Sequence, residues 1–433
     1  MILDFYLRWK FKKIKRKFAF LTNKNAFNVN EIDSEIAELA DRIYDEKKFL
    51  KSGNYIYEFG FCATELYDVG GHTSCLKSLA ESLYSEAHEK KLPLFLSAIE
   101  TTHKCSGNLI KKLKDCVNIF GIEFSRKNLR NDITFLYNNI IKNLPNTLFI
   151  YIHSDDIAFA MVLSLLKKYE PVKLIFFNHA SHLPNVGMNF SHLIWECLPA
   201  SLKITENQRH IRSKSIVIGL QSKKVKDVII YPENTIYDIR SKFGVIGDGF
   251  LTMSGGASYK FFNNIGSEYF EMIKKILIME PKLCHVVISN FSVEEKKIID
   301  SIFLDRMDLM ERLKFSSLTP NFDPLFQAAD VFIDSFPQSS ALTQIDLMRN
   351  RVASVVKINK DNPEKSFHEY LPENYPYIFE EVEDMIEGIL KLLYDIDERK
   401  RIIEMNYKFW LTTYESDVVK GRALKIVEKM YEC

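Results

Sequence analysis

The stretch Phe332–Met348, FIDSFPQSSALTQIDLM, decides how this chain is read. It lies within AADVFIDSFPQSSALTQIDLMRNRVASVV and divides into a short apolar strand (Val331 to Ile333), a Pro-bearing turn and a helix opening at Ser339 or Ser340. A second apolar run follows at Val352 to Val356. A helix that starts at the carboxyl end of a strand presents free N–H groups and the positive end of its dipole, and so favours a phosphate. Ser339 and Ser340 are good N-cap residues and add hydroxyl donors. Asp346 stands one turn past Thr343 on the same face, about 9 Å along the helix at about 1.5 Å per residue. Phosphate at the helix start and a carboxylate for sugar hydroxyls farther in are what a nucleotide diphosphate needs. An ordinary strand–turn–helix unit of an α/β domain fits this stretch equally well, so the rest of the chain has to decide.

Two other segments share the design of apolar strand, small or polar residues, then helix, and two more strand ends carry histidines. In Phe250–Phe261, FLTMSGGASYKF, Gly255 and Gly256 offer backbone donors and Lys260 can place an ammonium near phosphate oxygens. The glycines are too few for a dinucleotide fingerprint and wrongly spaced for a Walker loop. In Tyr67–Ser74, YDVGGHTS, Gly70 and Gly71 permit close backbone approach, and His72 and Thr73 sit at the mouth of the following helix. In Phe176–Pro184, FFNHASHLP, His179 and His182 follow a strand three residues apart. No carboxylate or third ligand stands at a telling spacing for a metal. His153, Asp155 and Asp156 in IYIHSDD likewise end a strand.

At 433 residues the chain should form two domains. Strand and helix patterns alternate from Tyr55 to Cys197 and again from Gly249 onward, which argues parallel sheets covered on both faces. The expected class is therefore α/β, with two doubly wound Rossmann-like domains facing a cleft. Their expected extents are a basic segment and helix over 1–54, an N-terminal domain over 55–230, a C-terminal domain over 231–405, and a last helix over 406–433 packing back on the first domain. Ligands in such sheets sit at the carboxyl ends of the strands.

Net charge is +1, so nothing draws the whole chain to nucleic acid. The charge is uneven, since Met1–Lys17, MILDFYLRWKFKKIKRK, holds seven Lys or Arg against one Asp, interleaved with Phe5, Tyr6, Trp9, Phe11 and Ile14. That pattern suits an anionic membrane surface as well as a helix docked on the protein. No apolar run reaches the roughly 18 residues of a membrane span, and the start lacks a signal peptide's apolar core. Seven cysteines without a CxxC pair read as reduced thiols, placing the protein in the cytoplasm, with peripheral attachment at the inner membrane face as an extension of that reading.

The stretch from Phe250 to about Val356 resembles the donor-binding half of GT-B glycosyltransferases, where an acid on the equivalent helix holds the ribose of a nucleotide-sugar. The matching position is Asp346. NHASH resembles the NHADH-type stretch of some bacterial members, with Ser181 where they carry aspartate, and YDVGGHT resembles their GGHT-type opening. The resemblance implies a nucleotide-diphospho-sugar donor, UDP first among the nucleotides, with no other cofactor. Donor-side residues would be Gly255, Gly256, Lys260, Ser339, Ser340, Thr343 and Asp346. Gly70, Gly71, His182 and Asp156 would lie on the acceptor side. The base would be His179, then His72, with Asp155 behind them, because an inverting transferase must deprotonate an acceptor hydroxyl near working pH. The acceptor could be a saccharide, a lipid-linked glycan or a protein.

Two departures matter. Retaining members often carry Glu, seven residues, Glu; here those positions are Gln338 and Asp346, which tilts the expectation toward inverting chemistry, as in enzymes similar to the O-GlcNAc and adhesin-modifying transferases. Arg351 and Ala353 replace small residues and Pro after the helix. The metal-binding Asp-x-Asp of the GT-A class has one match, Asp395-Ile396-Asp397, inside a charged helical run. Two other readings stay open: a nucleotide-sugar epimerase of the same two-domain form, and a degenerate nucleotide-binding scaffold.

Overall fold

The computed structural model describes residues 2–432 except 25, 52, 69–70, 85–89, 105–106, 124–127, 212, 264–265, 318–320, 361–365 and 367. The chain divides into two compact units, Met1–Gln221 with Val419–Cys433, and Ser222–Val418. The division falls ahead of the expected 230/231 because residues after Gln221 bond within the second unit. Gln327 Nε2 donates to Ile229 O at 2.7 Å, Lys223 Nζ lies 2.8 Å from Asp323 Oδ2, and Ser222 N donates to Tyr414 O at 2.9 Å. At the other end, the helix Ile396–Thr413 stays with the second unit. Only from Val419 does the last helix, Ser416–Glu432, join the first, where Tyr431 OH sits 2.7 Å from Thr147 Oγ1.

Among the described residues the first unit holds seven strands: β1 (Tyr57–Ala63), β2 (Leu92–Leu96), β3 (Val117–Gly121), β4 (Pro145–Tyr151), β5 (Lys173–Asn178), β6 (Leu193–Glu196) and β7 (Lys214–Val217). They pair in parallel in the order β3-β2-β1-β4-β5-β6-β7. The second unit holds β8 (Phe250–Gly255), β9 (Leu283–Ile288), β10 (Leu313–Ser316), β11 (Val331–Ile333), β12 (Ala353–Lys357) and β13 (Ile378–Phe379), again parallel, in the order β10-β9-β8-β11-β12-β13. Both sheets are doubly wound and Rossmann-like.

Parallel strands covered on both faces must be apolar along their length. β5 and β11 obey this, with Leu174, Phe176, Val331, Phe332 and Ile333 wholly buried. Strand order reverses between β1 and β4 in one sheet and between β8 and β11 in the other. At such a switch point the loops leaving neighbouring strands diverge to opposite faces and open a crevice at the carboxyl ends. The segments singled out in the sequence leave these four strands and β5.

Candidate functional site

In the second unit the glycine loop after β8 and the serine loop after β11 converge. Lys260, on the short 3-10 turn Ser258–Phe261, sends its ammonium across to the other loop, 2.9 Å from Ser340 Oγ and 3.1 Å from Ser339 O. Ser340 Oγ in turn donates to Gly255 O at 3.4 Å. Gly256 permits this approach, since a Cβ there would stand 3.1 Å from Ser340 Oγ and 3.2 Å from Lys260 Cδ. Burial lowers the Lys260 pKa, and the charge of Asp334 works against that shift.

The serine loop contains a cis Phe336–Pro337 bond and is tied to itself. Asp334 is buried; its Oδ1 accepts from Ser335 N at 2.9 Å and its Oδ2 accepts from Ser339 Oγ. Burial pushes its carboxyl up to about 6, against the pull of Ser339 and Lys260. Ser335 Oγ donates to Gln338 O at 2.8 Å. The helix Ala341–Arg349 begins directly after Ser340, which holds the N-cap position without a side-chain cap bond. The expected capping by serine hydroxyls does not occur: Ser339 is spent on Asp334, and Ser340 on Lys260. The first-turn N–H groups are thereby left without a side-chain cap, with an ammonium beside them.

Asp346 lies on this helix, partly exposed, five residues past its start. Its Oδ1 accepts from Arg349 Nε at 2.9 Å. Arg349 is buried and donates through both terminal nitrogens to Asp323, at 2.9 and 2.6 Å. Asn350 and Lys223 complete the shell around Asp323, whose carboxyl stays far below the usual range because of Arg349 and then Lys223 despite its burial. Asp346 is thus held at its base by a fixed guanidinium. Thr343 is half-buried one turn before it. Arg349 and Asp323 were missed in the sequence; the i, i+3 spacing of Asp346 and Arg349 was the signal for one of them. Beneath the loops, Ser254 Oγ donates to Ile333 O at 2.6 Å, and Tyr269 OH and Thr252 Oγ1 lie 2.8 Å from the ring nitrogens of buried His285. This buried polar chain ties β8, β9 and β11 together below the site.

In the first unit three imidazoles gather at the ends of β1, β4 and β5. The His72 ring centre is 4.6 Å from that of His179 and 5.6 Å from that of His153. His72 Nε2 lies 2.5 Å from Tyr151 O; a carbonyl only accepts, so Nε2 carries the proton. His179 Nδ1 faces Phe177 O at 3.4 Å, which leaves Nε2 as its lone-pair nitrogen. Burial first, then the neighbouring imidazoles His72 and His153, push His179 well below 6.5; burial takes His72 to about 4. His153 Nδ1 stands 3.8 Å from Glu65 Oε1.

The loop that carries His179 and His182 is braced from below. Asn185 Nδ2 reaches Asn178 Oδ1, Ala180 O and Leu183 O, while buried Arg209 donates to Ser181 O and Leu183 O at 2.5 and 2.8 Å. Asn178 in turn donates to buried Glu196 at 2.7 Å. Arg209 and Glu196 did not stand out in the sequence, because both are far along the chain from the histidines they support, whereas Asn178 and Asn185 lie close to them in sequence. His182 is half-buried and contributes to the lowered pKa of His179.

The aspartates after β4 separate. Asp156 is engaged structurally: Oδ1 caps the helix Ile157–Tyr169 through Phe159 N, and Oδ2 accepts from Thr64 Oγ1 and Ser97 Oγ at 2.7 and 2.6 Å. Asp155 is exposed. Gly71 opens the helix Gly71–Tyr84, and Gly70 lies outside the described residues. Asp395 caps the helix Ile396–Thr413 through Glu398 N at 2.9 Å, which accounts for the Asp-x-Asp match without a metal.

No family model matches this sequence, and no curated protein sequence is similar to it. Solved structures are. A glycosyltransferase from Rickettsia africae, 12% identical, superposes with a TM-score of 0.68 over 87% of this chain and 99% of its own. HepE from Anabaena, in complex with UDP-glucose, is also 12% identical, with a TM-score of 0.64 over 86% of this chain and 100% of its own. A UDP-GlcNAc 2-epimerase from Neisseria meningitidis, bound to UDP-GlcNAc, is 11% identical, with a TM-score of 0.54 over 87% and 100%. At such identities the likeness speaks for the fold alone, and that fold is the two Rossmann-like domains of GT-B glycosyltransferases.

Proposed function

We propose that this protein transfers a sugar from a nucleotide-diphospho-sugar, with UDP the preferred nucleotide, to a saccharide, lipid-linked glycan or protein acceptor. The observation that carries the reading is the convergence of the Lys260 ammonium, the Ser340 hydroxyl and the uncapped start of the helix Ala341–Arg349 on one point at the β8/β11 switch, with Asp346 farther along the same helix. The diphosphate belongs at the first of these and the ribose hydroxyls at the second. Structures of like fold that hold UDP and UDP-glucose support the choice of donor.

In this reading the acceptor oxygen attacks the anomeric carbon as His179 Nε2 takes its proton. The bond from that carbon to the diphosphate oxygen breaks, and the charge left on the diphosphate is met by the Lys260 ammonium and the N–H groups at the helix start, without a metal ion. One displacement inverts the anomeric centre. Burial keeps the base neutral, His72 and then Asp155 stand behind it as alternative bases, and Gly71 and His182 belong to the acceptor side.

The fold is shared with an epimerase, so the test is product analysis. The protein is incubated with UDP-, GDP- and ADP-sugars, with and without an acceptor panel. Release of nucleoside diphosphate with glycosylated acceptor of inverted configuration supports the proposal. Conversion of the donor alone to an epimer supports the second reading, and tight nucleotide binding with no turnover supports a scaffold.

A further inference from the structure

The helix Ile2–Asn23 has two unlike faces. Leu7, Phe11, Ile14 and Phe18 are buried in the core shared with the helices Asn30–Ile43 and Leu129–Lys142. Lys10 and Lys17 flank that seam and are spent on it: Lys17 Nζ lies 2.6 Å from Glu31 Oε1 and also meets Glu35, and Lys10 Nζ lies 3.4 Å from Glu35 Oε2. On the far side Phe5, Trp9 and Phe20 are 75%, 52% and 61% exposed, with exposed Lys12, Lys13 and Arg16 among them.

At about 100° per residue these six side chains fall within one arc of about 100°, centred opposite the buried seam. No carboxylate among the described residues of the helix shares that arc. Lys13 Nζ sits 5.7 Å from the centre of the Trp9 ring. Three large rings left in water beside three cations are not explained by packing, which the inner face already supplies.

We propose that this outer face docks the protein on an anionic lipid membrane, independently of what the two Rossmann-like units catalyse. The rings enter at the level of the headgroups, where aromatic side chains keep an apolar body dry and the helix lies parallel to the surface. Lys12, Lys13 and Arg16 extend along the rings to the lipid phosphates. The charge is confined to one narrow face of a chain whose net charge is only +1, which matches a flat anionic surface better than a polyanion that cations must follow along its length.

The test uses the full chain and sedimentation with vesicles of phosphatidylglycerol in phosphatidylcholine, or of phosphatidylcholine alone. Wild-type protein is expected to sediment with the anionic vesicles only, and the Lys12→Gln/Lys13→Gln/Arg16→Gln variant to partition about 100-fold more weakly, at about fivefold per cation. A Trp9→Ser/Phe20→Ser variant is expected to bind weakly with an unchanged thermal melt. Brominated lipid should quench part of the tryptophan emission, and that part belongs to Trp9, because Trp195 and Trp410 are buried. The proposal is overturned if the wild type ignores both vesicles, binds both equally, binds as tightly after the triple substitution, or prefers an oligonucleotide to anionic vesicles at the same salt.

Discussion

Arg349 Nε donates to Asp346 Oδ1 at 2.9 Å while both terminal nitrogens of the same guanidinium are taken by buried Asp323. The carboxylate proposed to hold the ribose is therefore positioned by a group that cannot turn away from it. Asp346→Ala is expected to weaken UDP binding by roughly 10- to 100-fold, the loss of one or two charge-assisted hydrogen bonds, with little change in stability. Arg349→Met should weaken it too, but at a cost of about 3–5 kcal/mol in stability, because Asp323 is then a buried charge without its main partner. Calorimetric titration beside urea unfolding separates the two effects.

Gly256 lies where the glycine loop and the serine loop meet. A methyl group there meets Ser340 Oγ and Lys260 Cδ at 3.1 and 3.2 Å, so Gly256→Ala should shift both by a few tenths of an ångström and disturb the contact of the ammonium with the serine loop. The expected result is at least tenfold weaker nucleotide binding with a thermal melt close to wild type. Unchanged affinity would mean that Lys260 does not act from where it lies.

The pH profile should betray the depressed histidines. A base works in its neutral form, and a pKa held well below 6.5 keeps His179 neutral as pH falls. Turnover is therefore expected to hold its pH 7 value down to about pH 5.5, where an ordinary histidine base would already be mostly protonated. His179→Gln should abolish transfer while leaving UDP affinity within about twofold. An acid limb at pH 6.5 or above would point to another base.

Stability should carry the mark of His285. Burial holds it at about 3, below its unfolded value of about 6.5, so the unfolded chain takes up a proton that the native state refuses. Its stabilising contribution is present above pH 6.5 and is lost as pH falls. Asp33 and Asp334, each raised to about 6 by burial, act the other way: the native state binds their protons first, and that stability is lost as pH rises through 6. Removing the histidine isolates one side of this balance. Between pH 7 and pH 5, His285→Gln is expected to lose about 2 kcal/mol less stability than wild type in urea unfolding.

Much of this was legible in the chain. The apolar runs of β8, β9 and β11, the alternation with helices, and the placing of SGGASYK and FPQSSAL at strand ends all follow from local pattern, since parallel strands buried on both faces must be uniformly apolar. Asp346 and Lys260 were legible as residue types at fixed distances from a helix start. What pattern could not supply was which polar groups satisfy one another. Ser339 and Ser340 read as N-caps, yet the fold brings Asp334 and Lys260 within reach and claims their hydroxyls. Asp156 read as an acceptor-side acid at a strand end, yet Thr64 and Ser97, on the loops after β1 and β2, both donate to it. Arg209 and Glu196 brace the histidine loop from positions with no local signature. Pairings of this kind are set by the topology of the sheet.

The donor side is tested most directly by titrating UDP into the wild-type protein and into Lys260→Met, the melt of each being recorded alongside. The expected result is micromolar binding by the wild type, lost by a factor of ten or more in the variant, with the fold intact. Failure of the wild type to bind UDP, GDP or ADP, or equal affinity in both proteins, would contradict the assignment of the Lys260–Ser340 junction as the diphosphate site.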